Sequence, residues 1–272
     1  MRVVLLGASG MLGQALMEEG QARSHEMIGD RVEITDDAAL AAHFEKHQPD
    51  IVINSAALTD LKRCEQNPYY ADAVNAYAVG SIMKISGFRF VQISSDQCQG
   101  ALLNKYARSK RHGEWLATNQ SPDSKALIVR TNIVGLKNMA WAFDAIENDS
   151  PITLFDDYFT SSIDIWSFSR VLFDVLEKHP EECGILNIGS RDTRSKKDFI
   201  EALGKAMGRT LTQATTGSVK DLTPERSTDC GLDVSRIESL LGRRMPDLNE
   251  VINALVERRN QPCINPLPLT TG

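Results

Sequence analysis

The sequence predicts an α/β fold in which a doubly wound parallel sheet is followed by a smaller C-terminal α/β lobe. Its 272 residues suffice for one large domain or two modest ones, and its apolar share of 42% and charged share of 24% are ordinary for a globular protein. Across the first half, short and nearly continuous apolar runs alternate with stretches of helical periodicity. Such strands, separated by helices, are typical of a parallel sheet covered on both faces.

A strand, a glycine-rich loop and a helix open the chain. The predicted strand Arg2–Leu6 is followed at once by Gly7, Gly10 and Gly13, and an apolar pattern of helical spacing begins at Leu12. Glycines in this position let a pyrophosphate approach backbone amides and the positive end of the helix. The arrangement predicts a Rossmann-like dinucleotide site rather than an ordinary glycine-rich turn.

Helices and strands continue to alternate through the first half. Thr35 is predicted to cap the second helix, with Asp36 and Asp37 in its first turn and Leu40 and Phe44 on one face. The other elements predicted here are strands at 51–53, 90–93 and 126–129 and helices at 71–84 and 106–116.

Beyond about Gly135 the pattern loosens into more polar loops and shorter strands. A strand is predicted at 184–188, with helices near 169–178 and 197–207. We expect a dinucleotide-binding domain at 1–135, to whose sheet later segments return, and a smaller substrate-binding lobe with the C-terminal tail at 136–272. The tail has three prolines between positions 261 and 269 and is expected to lie extended.

Composition and charge limit the partners that the sequence predicts. The net charge of −6, without a stripe of Lys and Arg, argues against nucleic acid as the main partner. No apolar run approaches the roughly 20 residues that cross a bilayer, and the N-terminus does not resemble a secretory signal. The five scattered cysteines favour reduced thiols over disulfides or zinc. We expect a cytoplasmic protein that acts on a small molecule and binds neither a membrane nor nucleic acid. The sequence leaves open whether it forms a homodimer.

Tyr106 and Lys110 stand four residues apart in a predicted helix, so their side chains project from one face. A nearby ammonium favours the phenolate and should lower the tyrosine pKa from its free value of about 10. Ser94, Ser95 and Asp96 follow a predicted strand, and strand ends are where a doubly wound sheet presents its ligand groups. A hydroxyl there can hydrogen-bond a substrate carbonyl while the tyrosine protonates it.

Motifs spread over nearly the whole chain agree in order and spacing with one family. They lie at 53–60, 64–65, 73–75, 93–96, 106–110, 113–114, 130–131, 187–190, 226 and 232–237. In these motifs the chain resembles the dTDP-4-dehydrorhamnose reductase family of extended short-chain dehydrogenases. The resemblance implies an oxidoreductase that uses NAD(P)H to reduce a keto group on a nucleotide-linked deoxysugar.

The resemblance also implies roles for individual residues. It makes Ser95, Tyr106 and Lys110 the catalytic triad, in which the serine orients the ketone, the tyrosine is the general acid and the lysine holds the nicotinamide ribose. Together with the glycine-rich loop, it predicts a cofactor site formed by Gly7, Ser9, Gly10, Met11, Leu12, Gly13, Asp30, Arg31, Glu33, Ile34, Ala56, Ala57, Leu58, Tyr106 and Lys110. The expected substrate contacts are Thr59, Ser95, Asp96, Asn132 and Arg226.

Three stretches on the expected substrate side depart from that family. Residues 97–104 replace an aromatic-rich segment and a long loop, Asn132–Val134 stand where a tryptophan is expected, and 160–163 replace a Gly-Ser-Pro-Thr stretch. A reductase of a different carbonyl substrate on the same fold is therefore an alternative. A non-catalytic dinucleotide-binding regulatory subunit is another, although the retained catalytic triad argues against it.

Cofactor choice depends on Asp30 and Arg31, which follow the second strand. An acid there accepts hydrogen bonds from the ribose 2′-hydroxyl and repels a 2′-phosphate, whereas an arginine pairs with that phosphate. Because Arg31 is long enough to reach a phosphate while Asp30 turns to solvent, we favour NADP(H), with NAD(H) as the alternative.

Other polar residues are interpreted as surface features. His43 and His47 share a helix face without a visible third ligand, so we expect a solvated face and no metal site. The pairs at 196–197 (Lys-Lys) and 243–244 (Arg-Arg) are interpreted as surface charge rather than as phosphate ligands.

Overall fold

The computed structural model describes residues 1–119 and 125–261. Its strands, in chain order, are β1 Arg2–Leu6, β2 Glu26–Ile28, β3 Ile51–Asn54, β4 Arg89–Ile93, β5 Leu127–Arg130, β6 Asn132–Val134, β7 Ile152–Phe155, β8 Phe159–Thr160, β9 Ser162–Asp164, β10 Gly184–Asn187, β11 Arg194–Ser195, β12 Ala214–Gly217 and β13 Asp229–Cys230. Its α-helices are α1 Met11–Ala22, α2 Asp37–His47, α3 Leu61–Gln66, α4 Pro68–Asp72, α5 Ala78–Met83, α6 Lys105–Asn119, α7 Ala140–Asn148, α8 Ile165–Lys178, α9 Lys196–Ala206, α10 Ser235–Leu241 and α11 Leu248–Asn260.

A six-stranded parallel sheet in the order β10-β5-β4-β3-β1-β2 forms the centre of the structure. The chain moves outward from β1 to β2 and then crosses back to β3, so the direction of winding reverses between β1 and β3. In open parallel sheets, ligands bind at the carboxyl ends of the strands beside such a reversal. The predicted doubly wound α/β fold is confirmed.

Burial on both faces explains why the central strands are apolar throughout. Val3 and Leu5 of β1 belong to one core cluster, whereas Val4 and Leu6 belong to the cluster on the opposite face. Consecutive side chains of a strand point to opposite faces, so helices on both sides require an apolar residue at every position.

The later part of the chain returns to this sheet. Strand β10 pairs with β5 in parallel, and α8 packs against α1. Arg23, which ends α1, donates hydrogen bonds to Asp174 at 2.9 Å and to Glu177 at 2.8 Å on α8. The domain boundary at residue 135 stays a prediction, and the prolines of the predicted tail lie outside the described residues.

Two local predictions differ from the structure. Thr35 does not cap α2; Asp36 does so, because its carboxylate accepts from the amide of Ala39 at 3.0 Å, while the Thr35 hydroxyl donates to Glu33. The helix predicted at 71–84 begins earlier, at Pro68, and contains a π-helical turn at Ala73–Tyr77.

Two further features bear on the sequence-based expectations. None of the helices in the described residues has both the length and the apolar character of a membrane span. The cysteines of the same residues, Cys64, Cys98, Cys183 and Cys230, are free thiols.

Candidate active site

The loop between β1 and α1 passes close to the end of β3. Gly7 has a φ of +83°, and a Cβ there would lie 2.7 Å from the amide nitrogen of Ala56. A Cβ on Gly13 would lie 2.2 Å from the carbonyl oxygen of Gly7. Both positions therefore require glycine, one for its backbone conformation and the close approach to β3, the other for the packing of α1 onto the loop.

The start of α1 offers backbone amides to a ligand. No described side chain caps this helix, whose N-cap is Gly10. Ser9 and Gly10 are exposed and Met11 is half-buried, whereas the side chain of Leu12 packs in the core. The uncapped amides and the positive helix end form an environment that suits a phosphate group.

The residues predicted to select the cofactor follow β2. The Asp30 carboxylate lies 3.3 Å from Nε2 of His47 and 3.8 Å from Nζ of Lys46, both on α2, and Arg31 is exposed. His43 and His47 are partly buried, with ring centroids 4.6 Å apart, so the expectation of a solvated helix face is wrong. Within the described residues, no three His, Cys, Asp or Glu side chains converge as metal ligands.

Glu33 and Ile34, two further residues of the predicted cofactor site, lie in the same loop. Glu33 is exposed, and hydrogen bonds from the hydroxyl and amide of Thr35 lower the pKa of its carboxyl group. Ile34 is buried in the core cluster beneath the loop, with Leu40 and Phe44 of α2. The loop is therefore anchored by Ile34, while Glu33 faces solvent.

The segment after β3 is held by a side chain from the π-helical turn. Asn75 accepts from the amide of Leu58 at 2.8 Å and donates to its carbonyl at 3.0 Å. This fixes the backbone that also carries the half-buried Ala56 and Ala57. Thr59, which follows Leu58, is exposed.

Ser95 and Asp96 lie buried at the end of β4. The Ser95 hydroxyl donates to Oδ1 of Asp96 at 2.9 Å and accepts from the amide of Gln97 at 3.2 Å. Asp96 also accepts from Nδ2 of Asn132 at 2.7 Å and from the Gln97 amide at 2.8 Å. Burial raises the pKa of the Asp96 carboxyl, although the hydrogen bonds from Asn132 and Ser95 oppose that shift.

Tyr106 and Lys110 project from one face of α6, as their spacing predicted, but their electrostatics differ from the expectation. The Lys110 ammonium donates to the carbonyl of Ile93 at 2.6 Å, and burial lowers its pKa. Burial raises the pKa of the Tyr106 phenol, opposed by its hydrogen bond with Ser95. The expectation that Lys110 lowers the pKa of Tyr106 is therefore wrong in this structure.

A buried ion pair supports these residues from behind. Glu114 of α6 accepts from Arg130 of β5 at 2.9 and 2.7 Å and from the hydroxyl of Ser94 at 2.6 Å. Burial alone would raise the pKa of Glu114, but the hydrogen bonds from Arg130 and Ser94 and the Arg130 charge outweigh it, so the pKa is lowered. The charged pair ties α6 to the ends of β4 and β5.

On the side of Asp96 that faces Asn132, the structure brings in residues that the sequence did not indicate. Lys196, the first residue of α9, donates to Oγ of Ser162 at 3.1 Å, and its ammonium lies 6.0 Å from the ring centroid of Tyr158. Burial lowers the pKa of Lys196, whereas the charge of Asp96 raises it. The interpretation of Lys196 as surface charge is therefore wrong, while Lys197 extends to the exposed Thr216.

Arg226 lies on the same side, close enough to Lys196 and Tyr158 for its charge to act on both. Its Nε is buried and has no hydrogen-bond partner among the described residues. The sequence-predicted Ser95, Asp96 and Asn132 are thus brought together, with Arg226 near them. The sequence carries only the capping pattern of α9, with Ser195 as N-cap, and this gives no sign that Lys196 turns inward.

Comparisons with known proteins agree with this architecture. A family model described as the RmlD substrate binding domain matches residues 1–260. The chain is 26% identical over 300 residues to the probable low-salt glycan biosynthesis reductase Agl14 of Haloferax volcanii, covering 94% of this chain and 97% of the relative. It is 27% identical over 257 residues to a dTDP-4-dehydrorhamnose reductase of Mycolicibacterium smegmatis, covering 85% and 73%. A dTDP-4-dehydrorhamnose reductase structure from Bacillus anthracis, in complex with NADP, has a TM-score of 0.85 at 19% identity, covering 94% and 99%.

Proposed function

Because the chain belongs to the RmlD substrate binding domain family, we propose that it is an NAD(P)H-dependent oxidoreductase that reduces a keto group on a nucleotide-linked deoxysugar. The observation that carries this proposal is the meeting of Ser95, Tyr106 and Lys110 at the end of β4. Two relatives with reductase names support the reaction class.

The glycine-rich loop fits a dinucleotide. The uncapped α1 amides can donate hydrogen bonds to a pyrophosphate. A Cβ on Gly10 would contact only the carbonyl of Gly7, at 3.2 Å, so the outer side of Gly10 is open. When bound, the reduced nicotinamide supplies the hydride that adds to the carbonyl carbon. We assign the cofactor to residues 1–135 and the substrate mainly to the later lobe, which contributes Arg226.

NADP(H) is the favoured cofactor, with NAD(H) as the alternative. Asp30 lies toward His47 and Lys46 of α2, and the charge of Lys46 offsets the carboxylate that would repel a 2′-phosphate. Arg31 is exposed and thus free to meet such a phosphate. The NADP complex of the B. anthracis protein points the same way.

Tyr106 supplies the proton in this mechanism. Its raised pKa keeps the phenol protonated at neutral pH, so it can donate to the ketone oxygen as the hydride reaches the carbon. Ser95 orients the same oxygen through its hydroxyl. Lys110 holds the strand end through the Ile93 carbonyl, and we assign to it the contact with the nicotinamide ribose.

The test is Tyr106→Phe, assayed by loss of NADPH absorbance with dTDP-4-keto-6-deoxy sugars. We expect turnover to be abolished and the affinity for NADPH to be nearly unchanged, because the ring stays and only the proton donor is removed. Tyr77→Phe, on the exposed surface nearby, is the matched control and should retain full activity. A near-normal rate for Tyr106→Phe would rule out Tyr106 as the acid.

The substrate that we propose is a sugar nucleotide whose identity is tested separately from the reaction class. Ser162, which accepts from Lys196, lies in one of the stretches that depart from the family pattern, so a different carbonyl substrate on the same fold is the second candidate. Assays with dTDP-, UDP- and GDP-linked 4-keto sugars separate the two. NADPH binding without reduction of any carbonyl compound would instead favour the regulatory subunit.

A further inference from the structure

A continuous chain of hydrogen bonds joins α9 to the end of β4. Lys196 donates to Oγ of Ser162 at 3.1 Å, and Ser162 donates to Oδ1 of Asn132 at 2.8 Å. Nδ2 of Asn132 then donates to Oδ2 of Asp96 at 2.7 Å, while the other carboxylate oxygen accepts from Ser95 at 2.9 Å. Ser95, Asp96 and Ser162 are each buried.

The groups at the two ends fix the direction of this chain. An ammonium can only donate hydrogen bonds and a carboxylate can only accept them, so every donor points from Lys196 toward Asp96. Ser95 has a single hydroxyl proton, which it donates to Oδ1 of Asp96. The Ser95 hydroxyl is thus oriented by Asp96, the group at which the hydrogen bonds from Lys196 end.

We propose that Lys196 is a positioning residue that determines, through Ser162, Asn132 and Asp96, the direction in which the Ser95 hydroxyl donates. With Lys196 charged, Asp96 is held as a carboxylate and retains the Ser95 proton. When Asp96 takes up a proton it can donate to Ser95, whose own proton then becomes available to a ketone oxygen. The catalytic part of this inference rests on the proposed reductase function.

Packing holds Lys196 in this position. Its ammonium lies 6.0 Å from the ring centroid of Tyr158 and 5.6 Å from that of Phe199, and its backbone amide donates to the Tyr158 carbonyl at 3.0 Å. Ser195 caps α9 in a capping box with Asp198, which fixes Lys196 at the first helical position. This lysine is therefore part of a packed site.

The charge of Lys196 acts on Asp96 and opposes the rise in its pKa that burial causes. The other titratable groups near this carboxylate are Tyr106 of α6, Tyr158 and Cys230 of β13, with Arg226 beside Lys196 and Tyr158. Burial raises the pKa of Cys230 to about 12 and raises those of Tyr106 and Tyr158 as well, so these three groups are neutral near pH 7. A change at Lys196 should accordingly reach Asp96 without a compensating titration nearby.

The experiment follows the Asp96 carboxyl carbon by NMR in protein labelled with ¹³C-aspartate, with Asp96→Asn identifying the signal. In Lys196→Met we expect the titration midpoint to rise, corresponding to about a tenfold gain in proton affinity, because a buried countercharge is lost. Lys196→Arg, which keeps the charge, should stay near the wild type. Lys197→Met removes the neighbouring lysine, which extends to Thr216 instead, and should not move the midpoint.

Equal titrations in Lys196→Met and Lys197→Met would overturn the inference. Should Lys196→Met fail to fold in circular dichroism, Ser162→Ala decides, because it breaks the chain while keeping both charges. A raised Asp96 midpoint in Ser162→Ala supports the inference, and an unmoved one overturns it.

A second measurement connects the chain to turnover. The rate should follow the protonation of Asp96, so the pH limb of kcat should move upward in Lys196→Met together with the NMR midpoint. If the wild type reduces no sugar nucleotide, the proposed function fails while the NMR titration still tests the hydrogen-bond chain. If the wild type is active but the pH limb of kcat is the same in Lys196→Met, the link from Asp96 to Ser95 is wrong.

Discussion

At Ser95, one hydroxyl proton has two competing acceptors, the carboxylate of Asp96 and a ketone oxygen. In the structure it points to Asp96, at 2.9 Å. Reduction places negative charge on the ketone oxygen, which strengthens that oxygen as an acceptor as the reaction proceeds. Ser95 can therefore contribute more to the transition state than to the ground state, and this is the condition for catalysis.

Ser95→Ala should lower kcat on the order of a hundredfold, as expected for the loss of one oriented donor to a developing oxyanion. The neighbouring Ser94→Ala is the matched control, because the Ser94 hydroxyl donates to Glu114 instead of facing the substrate side. It should reduce stability more than kcat. Steady-state kinetics and thermal melts of both variants make the comparison, and a loss of kcat under threefold in Ser95→Ala would count against its role.

Arg31→Ala should weaken NADPH binding on the order of tenfold and leave NADH binding nearly unchanged, because a charge-assisted contact to the 2′-phosphate is lost. Calorimetry with both cofactors measures this. Asp30→Asn is the control, since it keeps the shape of the side chain but removes the negative charge, and it should not weaken NADPH. If NADPH loses no more affinity than NADH in Arg31→Ala, the preference for NADP(H) is wrong.

The local sequence predicts the helix face on which a side chain lies, but not its contacts with distant parts of the chain. Tyr106 and Lys110 could be placed on one helix face because their spacing alone defines it. The carbonyl of Ile93, which holds the Lys110 ammonium, belongs to a strand 17 positions away and is not visible in that pattern. Lys196 was misplaced for the same reason, since Ser162 and Tyr158 reach it only through the tertiary fold.

Among the elements, α1 shows how one missing Cβ couples a helix to a loop. Gly13 lies inside α1, where alanine would ordinarily be favoured by about 1 kcal/mol for its helix propensity. Here, however, a Cβ would lie 2.2 Å from the Gly7 carbonyl and 2.7 Å from Cα of Ala8, both backbone atoms. Steric overlap therefore outweighs propensity at this position.

Gly13→Ala should lower the free energy of unfolding by about 1–3 kcal/mol and weaken dinucleotide binding, because the loop must shift. Gly204→Ala in α9 is the opposite case, since its nearest contact would be at 3.4 Å, and it should be neutral or stabilise by up to about 1 kcal/mol. Urea unfolding of both variants measures the difference. A stable Gly13→Ala with unchanged NADPH affinity would contradict the close packing of loop and helix.

Elements were predictable where a periodic pattern met a local signal, and less so where a distant contact defines them. Strands β1, β3, β4 and β5 were found within one residue because burial on both faces makes them largely apolar. The start of α2 was placed one residue early, since Thr35 and Asp36 are both good caps and the choice depends on side-chain geometry. The π-helical turn went unnoticed because its apolar spacing is that of an ordinary helix, and its Asn75 bonds to Leu58 in another loop.

For the whole molecule, the family resemblance derived from the motifs is confirmed by the match over residues 1–260. Order and spacing of many motifs specify a fold more strongly than any one of them. The details that periodicity could not supply concern the later part of the chain, where short strands pair with distant segments. Strand β10, for example, joins the sheet beside β5, which precedes it by more than 50 residues.

That return of the chain means that both parts share one core. Val3 and Leu5 of β1 belong to the same buried cluster as Leu172 of α8 and Leu255 of α11. An ion-pair network from Arg23 to Asp174 and Glu177 joins α1 to α8 at the surface. Unfolding the later part would therefore expose apolar surface on the first.

We accordingly expect a single cooperative unfolding transition in urea. A variant in which Trp115 of α6 is the sole tryptophan reports on the part before residue 135. The variant Trp115→Phe keeps Trp141 and Trp166 and reports on the part after it. Their fluorescence midpoints should coincide with each other and with circular dichroism. Leu172→Ala, made in both backgrounds at a fully buried position, should lower both midpoints together, corresponding to about 2–5 kcal/mol, because the cavity lies in the shared core. A shift confined to the later part's tryptophans would show that the two parts unfold separately.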